Sequence, residues 1–226
     1  MKRILLKAIS VFLAACFFTL NANALYSSSD VIYNNPDQIK KVALTFDDGP
    51  HPRFTKQVLD ILREYNVTAT FFIIGANALN YPDSLIAIAD SGCEIANHTF
   101  SHGNVAKMGK DEIKREILEC QNAVFNITGV KTSLFRPPEG ACVDSVKSAI
   151  NELNYNMILW SIDTKDWAHT PADTIADNVI SNVSNGDIIL MHDYVSGVNT
   201  TCNALKIIIP QLIAEGCCLC RPFQNG

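Results

Sequence analysis

Short apolar runs alternate with segments of helical period along most of the chain, and that alternation constrains the fold more than any other feature. The runs are Val42 to Phe46, Ala69 to Ile73, Glu94 to Asn97, Leu134-Phe135, Tyr155 to Trp160, Asp187 to Met191 and Cys217 to Leu219. Between them, Val58, Leu62 and Tyr65 mark one amphipathic helix, and Ile113, Ile117, Cys120, Val124 and Ile127 mark another. Val146, Ile150 and Leu153 mark a third; Ile175, Val179 and Val183 follow, with Asp173 or Thr174 as cap. Leu205, Ile208, Leu212 and Ile213 recur around Pro210, where a kink is expected. Seven strands alternating with helices imply a parallel sheet. We therefore expect an α/β fold in a single domain, a distorted (β/α) barrel of about seven parallel strands, because closure is the commoner way to bury so many short strands. An open doubly wound sheet fits the same alternation, and periodicity alone does not choose between them.

The chain ends and the overall charge narrow the setting. Lys2, Arg3 and Lys7 precede the apolar run Ala8 to Leu20, and Asn21-Ala22-Asn23-Ala24 closes it with an A-x-A pattern. Residues 1–24 are expected to be a secretory signal, and the protein to be secreted or held in the periplasm or cell envelope. Leu13-Ala14-Ala15-Cys16 offers a competing lipoprotein box, and membrane attachment would follow only if Cys16 is lipidated. Residues 25–40 are polar and turn-rich and read as a leader into a domain over 41–223. About 200 residues then remain, enough for one large core. A net charge of -5 with no basic block argues against nucleic acid as partner, and no protein partner is evident. Beyond Cys16 the seven cysteines cannot all pair with one another; buried apolar thiols and some oxidised pairs are both open readings.

The polar clusters fall just after the strand candidates, and in a parallel barrel those strand ends share one face. Thr45-Phe46-Asp47-Asp48-Gly49-Pro50 sets two carboxylates side by side before an obligatory turn. Adjacent carboxylates repel and resist desolvation unless a cation or a reaction uses them, although an N-cap before a helix near Phe54 would be a structural use. His98-Thr99-Phe100-Ser101-His102 supplies two imidazoles four apart. One Asp with two His suits a divalent metal with open positions, leaving the other Asp as a base. Taken alone the histidines would be ordinary loop residues. Their case rests on meeting Asp48 at one face.

Phe135-Arg136-Pro137-Pro138-Glu139-Gly140 is a loop stiffened by tandem prolines, able to hold Arg136 against a carboxylate and to aim a backbone N–H at a substrate oxygen. Trp160-Ser161-Ile162-Asp163-Thr164-Lys165-Asp166-Trp167 places two acids three apart beside both tryptophans, a composition suited to packing on a sugar ring. Asp187 to Asp193 ends a strand in Leu190-Met191-His192, and period two puts Leu190 and His192 on one side, an apolar wall beside an imidazole suited to general acid work. His51 and His169 have no assigned role.

Taken together, Thr45 to Pro50, His98 to His102, Arg136 to Gly140, Trp160 to Trp167 and Leu190 to Asp193 resemble the motifs of the polysaccharide deacetylase family, in the family's order. The resemblance implies a distorted barrel with one divalent metal ion bound by Asp48, His98 and His102, usually zinc, with cobalt or another divalent ion as alternatives. It implies Asp47 as general base held by Arg136, and His192 as general acid tuned by Asp163. Trp167 and Leu190 would line the acetyl pocket. Glu139 stands where many members have Tyr after the two prolines; it keeps the backbone N–H that would stabilise the oxyanion, and its carboxylate could alter substrate choice. The implied activity is hydrolysis of the N-acetyl group of an acetylated glycan, peptidoglycan first and chitin oligosaccharide next. An O-acetyl xylan esterase and a carbohydrate-binding non-enzyme on the same scaffold are the alternatives.

Overall fold

The computed structural model of the chain describes residues 31–32, 41–195 and 200–220. In chain order the elements are β1 (Val31–Ile32), β2 (Lys41–Asp47), α1 (Phe54–Glu64), β3 (Thr70–Ile73), α2 (Gly75–Asn80), α3 (Pro82–Asp90), β4 (Glu94–Asn97), α4 (Lys110–Thr128), β5 (Leu134–Phe135), α5 (Asp144–Leu153), β6 (Asn156–Ile158), β7 (Ile162–Asp163), α6 (Ala172–Asn182), β8 (Ile188–His192), α7 (Thr200–Ala214) and β9 (Cys218–Leu219). The seven strands marked by the sequence are all present, and every strand pairing is parallel. The sheet runs β1-β6-β5-β4-β3-β2-β8-β7, with β9 added to β2.

That order decides between barrel and open sheet. β6 and β7 lie towards opposite ends of the hydrogen-bonded path, yet only Leu159, Trp160 and Ser161 separate them in the chain. So short a connection forces the sheet to curl until its ends nearly meet. The result is a barrel broken at the β6–β7 seam. β1 lies in the segment read as a leader and pairs with β6 on that side, so the leader contributes to the sheet. Residues 1–24, expected to be a signal sequence, and Cys16 among them, fall outside the described residues.

Strand parity sorts side chains into two environments. Val42, Leu44 and Phe46 pack outward with Phe71 and Ile73 against the helices; Phe46 and Phe71 stack with ring centroids 5.1 Å apart. Ala43, Phe72, Ala96, Leu134, Ile158 and Ile188 form a separate cluster inside the curl. Continuing two residues along β2, β4, β5 and β8 from those inward positions gives Thr45 and Asp47, His98, Arg136, and Leu190 and His192. The interior is therefore apolar at the N-terminal ends of the strands and ionisable at their C-terminal ends. That gradient builds the site.

Two differences from the sequence reading lie among the helices. α2 and α3 were not anticipated: Leu79 and Ile86 are exposed and Ala residues fill part of the packed face, which blurs the apolar period. α6 starts after Pro171, without a side-chain cap from Asp173 or Thr174. α7, from Thr200 to Ala214, carries Pro210 inside it, at the place where a kink was expected. Among the described residues no disulfide is formed, and Cys93, Cys120, Cys202 and Cys220 are buried. No described helix is long and apolar enough to cross a membrane.

Candidate active site at the C-terminal mouth of the barrel

β2 ends in Asp47, whose neighbours across the sheet are Phe72 on β3 and His192 on β8. One residue later Asp48 turns the backbone into the left-handed region, φ 74°. The two carboxylates consequently diverge. Asp47 is buried and accepts a hydrogen bond from Arg136 Nη1 at 2.7 Å, while Asp48 turns towards the histidines: its Oδ1 is 3.3 Å from His102 Nε2 and 3.5 Å from His98 Nε2. Asn77 on α2 fixes the turn by donating to the Asp48 carbonyl at 2.8 Å.

His98 continues β4, and its Nδ1 meets the Arg136 carbonyl at 2.7 Å. That contact makes Nδ1 the protonated nitrogen and leaves the Nε2 lone pair facing Asp48, the arrangement that ligand histidines need. His102 reaches the same place because Thr99 and His102 both take positive φ, 68° and 55°. Non-glycine residues in that region cost on the order of 1–3 kcal/mol each, so the loop must be held. The Asn97 side chain accepts from Thr99 N–H and donates to the Ile117 carbonyl. Glu116 on α4 accepts from the Phe100 and Ser101 amides at 3.0 and 2.8 Å and from the Ser101 hydroxyl.

Asp48, His98 and His102 form a group whose ligand atoms lie within 4.8 Å of one another, found among the described residues. The fit to a divalent cation is good on two counts. Asp48 Oδ1 is buried with no hydrogen-bond partner, an orphan acceptor of the kind a cation satisfies. Burial, together with the neighbouring His98, holds His102 below its ordinary pKa, so it is a neutral imidazole with a free lone pair. Burial pushes the Asp48 carboxyl upward, but the facing histidines outweigh it and keep the group ionised.

Arg136 is completely buried and closes the seam of the barrel. Its Nη1 also donates to Thr45 Oγ1 at 2.9 Å, Nη2 to the Leu159 carbonyl at 2.9 Å and Nε to the Ile158 carbonyl at 3.2 Å. Phe72 lies beneath the guanidinium at 4.1 Å. These bonds occupy carbonyls at the break in the sheet and fix Asp47 at the same time.

The partner of His192 is a correction to the sequence reading. Asp163 was expected to tune this imidazole; its carboxylate instead accepts the Lys165 amide at 2.8 Å. Lys165 adopts positive φ, 55°, and the turn swings Asp166 into the barrel mouth, fully buried. Asp166 accepts from His192 Nδ1 at 2.7 Å, from the His192 amide at 2.7 Å and from Thr201 Oγ1 at 2.7 Å. Burial opposes the imidazolium, but the Asp166 bond and charge, with Asp47 and Asp48 behind them, lift His192 to about 9. The sequence displayed both acids; only the left-handed turn between them selects one. Sequence reasoning also missed Asn77, Asn97 and Glu116, which act at the site mainly through backbone contacts.

Around these groups Leu190 is buried on the inward side of β8, and Trp167 follows Asp166 with 54% of its surface exposed. Glu139 is exposed, with φ 58°, in a turn whose backbone hydrogen bonds are donated by Gly140 and Ala141. A cavity of about 720 Å³ lies elsewhere, between α1 and α3.

A carboxylate oriented by an arginine can take a proton, and an imidazole charged by an aspartate can give one; both face a cation site. Hydrolases that split acyl groups from a poor leaving group need that pairing. Residues 34–158 match the family described as polysaccharide deacetylase, and the chain belongs to it. It is 40% identical over 185 residues to a peptidoglycan-N-acetylglucosamine deacetylase of Bacillus cereus, covering 81% of this chain and 67% of that protein. It is 39% identical over 153 residues to a chitooligosaccharide deacetylase of Sinorhizobium fredii, covering 67% of this chain and 71% of that one. A crystal structure of a peptidoglycan N-acetylglucosamine deacetylase superimposes with a TM-score of 0.83 at 37% identity, covering 87% of this chain and 94% of that chain.

The Glu116 clamp supports a prediction. Glu116→Ala should weaken divalent-metal affinity about 10- to 100-fold, the usual effect of losing a group that orients ligands. Competition against a chromogenic chelator measures it, and wild-type affinity in the variant would show that the loop holds its shape unaided.

Proposed function

We propose that this chain hydrolyses the N-acetyl group of N-acetylglucosamine-type units in a bacterial cell-wall glycan, outside the cytoplasm, using one divalent metal ion. Peptidoglycan is the first candidate and chitin oligosaccharide the second; zinc is the first candidate metal, held by Asp48, His98 and His102. The observation that carries the reading is the placement of two separately clamped proton-transfer groups, Asp47 on Arg136 and His192 on Asp166, beside that ligand set.

When bound, such an ion polarises the acetyl carbonyl and acidifies the attacking water. Asp47, fixed by Arg136, takes the proton of that water. The Glu139 backbone N–H supports the developing oxyanion. Leu190 and Trp167 receive the acetyl methyl, and His192, charged by Asp166, protonates the nitrogen as the carbon–nitrogen bond breaks. Acetate and a free amine leave. The exposed Glu139 carboxylate would attract the cationic product.

The His192–Asp166 pair favours an amide over an ester, because an amine leaves poorly without a proton and an alkoxide leaves more readily. His192→Ala should therefore damage amide hydrolysis far more than hydrolysis of an activated acetate ester. Equal losses on both would make His192 a binding group and favour the O-acetyl esterase reading. The pH profile gives a second check. An acid must be protonated to act, so activity should persist above pH 6.5 and fall as pH rises towards about 9. Asp166→Asn should move that alkaline limb down towards the ordinary histidine value, whereas Asp163→Asn should leave it in place. A limb that moves with Asp163 instead would reverse the assignment.

A further inference from the structure

An aromatic group at the mouth has no part in the chemistry described. His51 lies three residues beyond Asp48 and Tyr194 two beyond His192, and β2 and β8 pair in register at Asp47 and His192, so both segments leave the sheet side by side. Their rings stack almost parallel, centroids 4.6 Å apart at 9°. Phe54 stacks on His51 at 4.8 Å, and Tyr81 flanks it at 5.9 Å. Tyr194 has one face stacked on His51 and the Phe54 ring tilted beside it at 6.0 Å, and it keeps 39% of its surface exposed.

The group is held in place from behind. His51 Nδ1 accepts the Arg53 and Phe54 amides at 3.2 and 3.3 Å, capping α1. The His51 amide donates to Thr55 Oγ1 at 2.7 Å, and that hydroxyl donates to the buried Asp193 carboxylate, next in the chain to Tyr194. Gly49 lies so close to the same carboxylate that a Cβ there would sit 2.3 Å from it. Hydrogen bonds, stacking and chain connectivity thus form a closed circuit through His51, Thr55, Asp193 and Tyr194. Burial and Arg53 lower the His51 pKa, which keeps its ring neutral.

A ring fixed in this way, with part of its surface exposed, has little conformational entropy to lose on binding. The area is far below what a stable protein interface needs. It does suit the apolar face of a pyranose, with the Tyr hydroxyl as polar handle. We propose that Tyr194, backed by His51, is a stacking platform for the sugar unit adjoining the one that loses its acetyl group, so that the enzyme reads at least two consecutive units. This rests on the glycan deacetylase reading above, since only a polymeric substrate extends from the reacting unit across the rim.

Acetate release from N-acetylglucosamine monomer and tetramer, with KM and kcat separated, tests the platform. Tyr194→Ala should raise KM for the tetramer about tenfold and largely erase the preference of tetramer over monomer, with kcat much less affected. Tyr194→Phe, which keeps the ring, should restore most of that preference. Wild-type protein that releases acetate while Tyr194→Ala keeps the wild-type KM ratio would overturn the platform and leave the deacetylase reading intact. Wild-type protein that releases acetate from neither substrate nor from peptidoglycan would remove both.

Discussion

Asp47→Asn is expected to retain its metal and lose about a hundredfold to ten-thousandfold in turnover, the scale of removing a general base. The amide keeps the shape of the carboxylate and an oxygen for Arg136 Nη1, so the barrel mouth should hold together. Asp48→Asn, one residue away, should instead lose metal affinity first, because Asp48 faces His98 and His102. Metal content of the two purified variants, set beside their acetate release, separates base from ligand. Identical metal content in both would show the division of labour between these neighbours to be wrong.

Arg136→Met should produce the largest loss of stability, about 3–5 kcal/mol, because it strands a buried carboxylate that can no longer be neutralised by its partner. The substitution also removes donors to Thr45 and to the Ile158 and Leu159 carbonyls at the barrel seam. For a chain of this size that corresponds to a drop in Tm of about 6–20 °C. Adding Asp47→Leu should recover part of the loss, since the stranded charge is then gone. Thermal unfolding of the single and double variants measures this; a single variant within a degree or two of wild type would mean that the pair contributes nothing to the seam.

The strands were legible because parity and apolar content agree along them. β2 alternates inward Ala43, Thr45 and Asp47 with outward Val42, Leu44 and Phe46, β8 is apolar on both faces up to His192, and both were placed within a residue or two. β7 was missed because its two residues sit inside a run of acids and aromatics that carries no apolar period. For the site, the sequence disclosed the groups that project directly from strand ends: Asp47, His98, Arg136 and His192. It disclosed less where the chain leaves the strand and turns through positive φ, as at Lys165. Beyond such a turn, spacing no longer tells which way a side chain faces, and Asp163 was chosen where the fold uses Asp166. Glu116 and Asn97 were invisible for another reason. They bind backbone amides and carbonyls, and a backbone partner leaves no mark in the residue sequence.

The most direct measurement is acetate and free amine released from purified peptidoglycan by protein of known metal content, before chelation, after chelation and after one equivalent of zinc is restored. We expect about one divalent ion per chain, equal release of acetate and amine, loss of both with the metal and recovery on its return, with His98→Ala inactive and metal-free. Undiminished release by fully metal-free protein would contradict that expectation.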